Sequence, residues 1–307
     1  MHKHRFVLVL AAAVAAMASC ARSEPPSSQL MFGSPEEAVQ ALAKIVQAAD
    51  VEQLTRIFGP DSKELVDTSD PVTARRNRET FAVAFTENWK LVDGEKGAKT
   101  LVIGNEDWPF PVPLVKDGNR WRFDTAAGKT EVLARRIGRN ELAVIRICRT
   151  YVSAQHHYAD HGHDGKPAKL YAQAFRSDPG KENGLFWPEV KGKPLSPFGD
   201  LVAQAASEGR PIAEGKEPQP FQGYYFRILT AQGAAAAGGA KSYITSGDMS
   251  GGFGLVAWPA QYDFTGVMTF IVNQDGIVYE RDLGKEGAAI ASKMSEYNPD
   301  DSWKRVE

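Results

Sequence analysis

Apolar and polar positions change period along the chain, and the changes mark out its elements. An uncharged apolar run from Phe6 to Met17 comes first. After a polar stretch, Val39, Leu42, Ile45, Val46 and Ala49 recur at helical spacing behind Ser34-Pro35-Glu36-Glu37. There Ser34 can cap, Pro35 suits the first turn and Glu37 completes a capping box. Asp50-Val51-Glu52-Gln53 repeats that start for a short second helix through Leu54, Ile57 and Phe58, which Gly59-Pro60 ends. A third helix is predicted over about 72–90, carrying Phe81, Val83, Phe85 and Trp89. The pattern then turns to strands: 100–103 is one, and 112–116 with 120–123 flank Asp117-Gly118-Asn119 as a hairpin. Helices followed by antiparallel strands predict an α+β unit over 31–130.

The longest helical pattern covers 131–161, with Leu133, Ile137, Val144, Cys148, Tyr151, Val152 and Tyr158 on one broad face. Some ~30 residues is long for a globular helix, and Gly138 predicts a kink or boundary near it. Residues 181–220 are rich in Gly and Pro, interrupted by a predicted helix from Ser196 to Gly209. Strands follow at 223–230, 254–258, 267–273 and 277–280, the last two joined through Gln274-Asp275-Gly276. Ala234–Ala240 reads as a flexible loop because Gly238-Gly239 falls within it. Residues 131–307 are thus expected to pack a long helix on an antiparallel sheet, and the fold class of the whole is α+β.

The apolar run at the start is shorter than the ~20 residues a membrane-spanning helix needs. It follows His2-Lys3-His4-Arg5 and precedes Ala18-Ser19-Cys20, the three-part form of a secretory signal over 1–19. Its end resembles a bacterial lipobox, with Met17 where Leu is commonest. That resemblance implies cleavage before Cys20, lipid on Cys20 and a tether over 20–30 whose Ser and Pro residues favour solvated chain. Cleavage near Ala18 or Ala21 would instead leave a soluble periplasmic protein. Ala21 is not the Asp that often retains such proteins in an inner membrane, which favours an outer-membrane anchor facing the periplasm.

The 307 residues suit two domains, and 43% hydrophobic with 24% charged residues is the composition of a globular chain. Net charge is −2, falling to −4 once Lys3 and Arg5 leave with the signal, and no basic stripe appears, so nucleic acid is not an expected partner. With Cys20 lipidated, Cys148 has no intramolecular partner and is expected to be a buried small hydrophobe.

One cluster suggests chemistry: His156-His157-Tyr158-Ala159-Asp160-His161-Gly162-His163-Asp164. His157 and His161 are four apart and share a helix face, and His163 or Asp164 could supply a third metal ligand. Protonated histidines at a helix end followed by a Gly turn account for the same residues. Three Trp-Pro pairs, at Trp108, Trp187 and Trp258, could form an aromatic surface for glycan or peptide, contain a cis-proline, or be separate strand-end aromatics. Trp89, Trp108 and Phe110 could line a pocket or belong to the core. Asp248-Met249-Ser250-Gly251-Gly252 reads as a Gly-rich hairpin rather than a nucleophile on a turn. Zincin, hydrolase-elbow, Ser-x-x-Lys and phosphate-loop signatures are absent from the sequence, so no catalytic residue and no cofactor is assigned.

Residues 31–130 resemble the cone-shaped NTF2-like and cystatin-like domains of bacterial envelope proteins. Phe32-Gly-Ser-Pro-Glu-Glu-Ala-Val39, the Ala49-Asp50 break and Gly118-Asn-Arg-Trp-Arg-Phe-Asp124 carry that likeness. From Asn140-Glu141 through Gly223-Tyr224 to Asp275-Gly276, the second part resembles a type IV pilin body without its prepilin segment. A broader likeness rests on 107–111, 121–128, 136–141, 223–233 and 266–273. Through it the chain resembles the bacterial envelope family catalogued as domain of unknown function 2950, which implies an architecture and a compartment but no activity. The sequence reading is therefore a lipid-anchored, non-catalytic binding or accessory module with a membrane partner through Cys20 and an envelope protein or glycan as further partner. A metal-dependent hydrolase using 156–164, or a component of an envelope assembly or secretion system, is the alternative.

Overall fold

The computed structural model of the chain describes residues 29–66, 71–192, 194–199 and 220–307. The leader, Cys20, most of the tether and most of the helix expected over 196–209 lie outside the described residues. The chain is α+β and divides into two compact units after Arg136.

In the first unit, α1 (Pro35–Ala48), α2 (Val51–Phe58), α3 (Lys63–Val66) and α4 (Pro71–Glu87) precede a sheet. Ser34 Oγ accepts the Glu37 N–H at 3.1 Å, while Glu37 Oε2 accepts the N–H of Gly33 at 2.7 Å. The carboxylate thus closes the box one residue earlier than the usual pattern. Asp50 caps α2 through the Gln53 N–H, 3.0 Å away. The strands are β1 (Trp89–Asp93), β2 (Lys99–Ile103), β3 (Trp108–Pro109), β4 (Leu114–Asp117) and β5 (Arg120–Phe123). They pair antiparallel in the order β1-β2-β4-β5, with β3 on β2. Trp89 and Lys90 therefore belong to a strand, not to the end of the third predicted helix. Rings stack from Phe81 to Phe85 (5.9 Å) and from Phe85 to Trp89 (5.7 Å), so a four-residue aromatic spacing runs on past the last helical turn at Glu87. The interior of this unit is aromatic: Phe110 lies 5.9–6.5 Å from the rings of Phe58, Phe81, Trp108 and Phe123.

Helix α5 (Thr125–Ala159) starts six residues before the sequence expectation. Asp124 Oδ1 accepts the Ala127 N–H at 3.2 Å, and the Thr125 hydroxyl donates to the Phe58 carbonyl. Gly128 is required here, since a Cβ would stand 2.7 Å from a Val112 methyl. Near Gly138, where a kink or boundary is expected, the helix is continuous while the division between the two units falls beside it, after Arg136, and a Cβ at Gly138 would meet nothing within 4 Å.

The second unit contains the remainder of α5 and a five-stranded antiparallel sheet. Its order is β15 (Lys304–Arg305), β13 (Tyr279–Asp282), β12 (Met268–Asn273), β11 (Gly254–Pro259) and β6 (Tyr224–Leu229). Strand β11 is buried along its whole length because both faces are covered. Leu255, Ala257, Phe270 and Val272 face Val144, Cys148, Tyr151 and Val152 of α5. Val256, Trp258 and Ile271 face the short α6 (Gly287–Ala291) together with Tyr297 and Trp303. A smaller sheet joins β14 (Glu296–Tyr297), β7 (Ala231–Gln232) and β8 (Lys241–Ser242), and β9 (Ile244–Thr245) pairs with β10 (Asp248–Met249) as a hairpin. Residues 234–240 are irregular, as expected.

Polar side chains lock α5 to the sheet. Glu141 Oε1 accepts the main-chain N–H groups of Val267 and Met268, each at 2.9 Å. The neighbouring Asn140 donates to the Thr265 carbonyl at 2.8 Å. Tyr224 donates to the Met268 carbonyl at 3.0 Å, and burial holds its hydroxyl far above the usual phenol range. A Cβ at Gly266 would lie 2.0 Å from the Tyr224 oxygen, so only glycine fits.

Candidate functional site

Where α5 ends, the chain turns back along it. Gln155 is fully buried and offers its side-chain amide as a substitute peptide edge. Its Nε2 donates to the Ala172 carbonyl and its Oε1 accepts the Ala172 N–H, both at 2.8 Å. Its Nε2 also lies 3.0 Å from the Tyr151 hydroxyl oxygen. Lys169 bonds back to the Ala159 carbonyl, and the Tyr171 N–H donates to Met249 of β10 at 2.8 Å. These bonds hold open a cleft of about 250 Å³ in the second unit. Tyr158, Leu170, Tyr171 and Met249 supply apolar wall, and His161, His163, Asp164, Lys166 and Asp248 supply polar groups.

His163 is the best-held of these. Its ring stacks on Tyr158 at 4.1 Å and leans against Trp187 at 5.5 Å. Its Nε2 is 3.1 Å from the Tyr158 carbonyl oxygen and its Nδ1 is 3.3 Å from Glu182 Oε2. Asp164 Oδ2 accepts the Glu182 N–H at 2.9 Å, and Tyr158 donates to the Glu182 carbonyl at 3.0 Å. Burial pushes the Tyr158 hydroxyl up to about 12, with the nearby Asp164 and Glu182 carboxylates adding to the rise. Lys166 pairs with Asp248, and both line the cleft.

His161, His163 and Asp164 therefore share one cleft wall, and His157 lies beside His161 on the exposed helix face with ring centroids 5.8 Å apart. The four do not converge on one point. Both nitrogens of His163 and one oxygen of Asp164 are engaged by protein. Among the described residues no group of three or more His, Cys, Asp or Glu side chains is placed to hold a metal ion.

The tryptophans do not form an aromatic surface. Trp108, Trp187 and Trp258 are all buried, each in a different hydrophobic cluster. Trp108 carries the Arg135 guanidinium over its ring at 5.2 Å, and Trp187 donates to the Pro194 carbonyl at 3.1 Å. No peptide bond among the described residues is cis. Trp108 and Phe110 fill the aromatic interior of the first unit, and Trp89 is half-buried at its edge. Asp248 and Met249 are strand β10, in a Gly-containing hairpin. Cys148 is fully buried, and burial pushes its thiol up to about 12, which leaves it un-ionised and unreactive at neutral pH.

Sequence reasoning missed Gln155, Lys166 and Glu182, and took Asp248 only as part of a Gly-rich hairpin. Gln155 carried a signal, a polar residue one turn after Tyr151 on an apolar helix face. Glu182 and Asp248 come from distant segments, and no local spacing announces them.

A family model described as Protein of unknown function (DUF2950) matches residues 29–306, nearly the whole chain. No curated protein and no solved structure matches. The segments 107–111, 121–128, 136–141, 223–233 and 266–273, now placed in the core and in the lock between α5 and β12, thus sit in a chain that belongs to the family described as Protein of unknown function (DUF2950).

Proposed function

We propose that the protein is a membrane-anchored lipoprotein of the bacterial envelope that works as a non-catalytic binding or accessory module. Its binding site is the cleft beside the end of α5, and its anchor is lipid on Cys20, with the domains facing the periplasm. One observation carries the binding reading: Lys166, His163 and Asp164 of the cleft wall are each engaged by other groups of the protein, and His161 stands exposed beside them. Lys166 is paired with Asp248, His163 with Glu182, and Asp164 with a main-chain N–H. A general base needs a lone pair aimed at the substrate's proton. Walls of apolar side chains with a few fixed polar groups are the usual make-up of a binding pocket.

The same reading takes the first unit as NTF2-like or cystatin-like and the second as a pilin-like body without its membrane segment. Helices preceding an antiparallel sheet support the first likeness, and a long helix packed on one face of an antiparallel sheet supports the second.

Two experiments test the proposal. Intact-mass measurement on material from the native host should find a chain beginning at an acylated Cys20; a chain still carrying residues 1–19 refutes the placement. Photo-crosslinking residues at Leu170 and Gln173 should give a one-to-one adduct that the same residue at Glu52 does not. Turnover of the captured molecule by purified protein refutes the non-catalytic role.

A further inference from the structure

Strand β1 ends the first unit's sheet on one side and leaves a row of main-chain groups open. Gly104 N–H bonds the Asn88 carbonyl at 2.9 Å before the strand, and Gly94 N–H bonds the Ala98 carbonyl at 2.8 Å after it. With Lys90 opposite Val102 and Val92 opposite Thr100, the even-numbered residues therefore exchange their bonds with β2. Trp89, Leu91 and Asp93 turn their N–H and C=O groups the other way, and among the described residues none of these groups has a partner. Apolar side chains reach the same edge. Phe81 is buried, but Phe85 and Trp89, the next rings of its stack, and Leu91 are only partly covered, and Val92 is 43% exposed. Both charges on the strand are matched within the unit, Lys90 to Asp107 at 2.6 Å and Asp93 to Lys99. Neither stands as the unpaired edge charge that repels a second strand. At the opposite edge β5 is covered by Phe32, which exchanges two bonds of 2.8 Å with Trp121, and Gln29 donates to the Phe123 carbonyl at 2.7 Å. The chain that precedes residue 29 thus starts from the far side of the sheet.

We infer that β1 is a dimerisation edge, which pairs antiparallel with β1 of a second copy of this chain about a twofold axis at Leu91. That register sets Leu91 opposite its own counterpart and Trp89 opposite Asp93 in both directions, so every open N–H and C=O of the strand is used. A shift of two residues either way leaves Trp89 or Asp93 unpaired. Between the bonded pairs, Lys90 faces Val92 of the second copy, so no two like charges stand opposite each other. On the inner face Leu91 meets Leu91, and the added strand covers the side of Trp89, which completes the burial begun by the stack of Phe81, Phe85 and Trp89. A second copy fits better than an unrelated extended peptide because the edge is its own complement in length, charge and apolar contact.

Sedimentation equilibrium of the purified full chain carrying Cys20→Ala tests this. An interface built on one short strand from each copy is small, and a reversible dimer with a Kd on the order of 10 µM is expected. Asp93→Pro takes one outward N–H from each copy and leaves the ladder to β2 intact, at a side chain that is 84% exposed. It should weaken the dimer at least ~5-fold. Leu91→Lys sets two like charges across the axis and should weaken it at least ~10-fold. Glu52→Lys on α2 should change nothing. Facing Cα atoms of a bonded antiparallel pair lie about 5.5 Å apart, within the span of a disulfide. Leu91→Cys should therefore cross-link on mild oxidation, and Glu52→Cys should not. A chain that stays monomeric to about 200 µM overturns the inference and leaves the edge to a strand from another protein. A dimer that neither Asp93→Pro nor Leu91→Lys weakens overturns it too, and so does a dimer in which Leu91→Cys fails to cross-link.

Discussion

Replacing Glu141 by alanine tests the lock between α5 and the sheet. The carboxylate accepts two consecutive main-chain N–H groups, those of Val267 and Met268, at the head of β12. Both are partly buried, so losing the acceptor leaves two donors poorly solvated. A hydrogen bond to a charged partner contributes about 1.5–3 kcal/mol. Water entering the vacated space offsets part of the loss, which leaves an expected destabilisation of about 3 kcal/mol. For a unit of about 170 residues this lowers the melting temperature by ~6–12 °C. Glutamine keeps a neutral acceptor in the same place and should cost only about 1 kcal/mol. Urea denaturation followed by the fluorescence of Trp187, Trp258 and Trp303 reads out this unit, and the slope with denaturant should stay at the wild-type value. An alanine variant within ~0.5 kcal/mol of wild type refutes the lock. A glutamine variant as unstable as the alanine variant shows that the negative charge, and not shape or a neutral acceptor, is what Glu141 provides.

Glu280 lies near Glu141, and burial first, then that neighbouring charge, raise its carboxyl above the usual range, with Lys304 opposing. A raised carboxyl costs stability when charged, so folding gains as pH falls through the folded-state value. Glu280→Gln should therefore stabilise the protein at neutral pH by a few tenths of a kcal/mol, because the group is partly exposed. The gain should vanish below the carboxylate range in denaturation curves taken across pH, and a gain that persists there is evidence against this origin. Iodoacetamide should leave Cys148 unmodified in a folded Cys20→Ala chain and label it after denaturation; labelling at the same rate in both states contradicts its burial. The variant His157→Ala/His161→Ala should stay within ~0.5 kcal/mol of wild type, since both rings sit on exposed surface. Stoichiometric zinc, nickel or copper in untagged wild type that this variant loses would reverse that expectation.

Local structure was legible wherever one residue type acts on its near neighbours. Ser34 and Asp50 cap their helices, and Gly118-Asn119 turns a hairpin in which Asp117 pairs with Arg120. Errors arose where tertiary contacts outweigh local pattern. Trp89 keeps the four-residue spacing of Phe81 and Phe85 yet enters β1, because its partner across the sheet is Ile103. Gly138 reads as a helix breaker, but the helix on either side of it is held by contacts of its neighbours: Arg135 bonds Glu131 and the Pro109 carbonyl, and Glu141 bonds Val267. A cost of about 1 kcal/mol for one glycine is small against those. The histidine cluster was legible as residues near one helix end. Its chemistry was not, because the partner of His163 is Glu182 and the cleft it lines also takes Asp248 from a distant segment.

The segments that carry the family likeness have a shared physical role. Pro109 accepts from Arg135, Asp124 caps α5, Gly128 lets Val112 approach, Glu141 grips β12, and Gly266 makes room for Tyr224. Apart from the local Asp124 cap, each joins an element to one further along the chain, and at Gly128 and Gly266 a side chain would create a clash. None of these residues lines the cleft beside α5. They hold the scaffold that carries the cleft, while the turn after α5 and the hairpin at Asp248 supply its open wall, and both sets lie within the residues 29–306 that the family model matches.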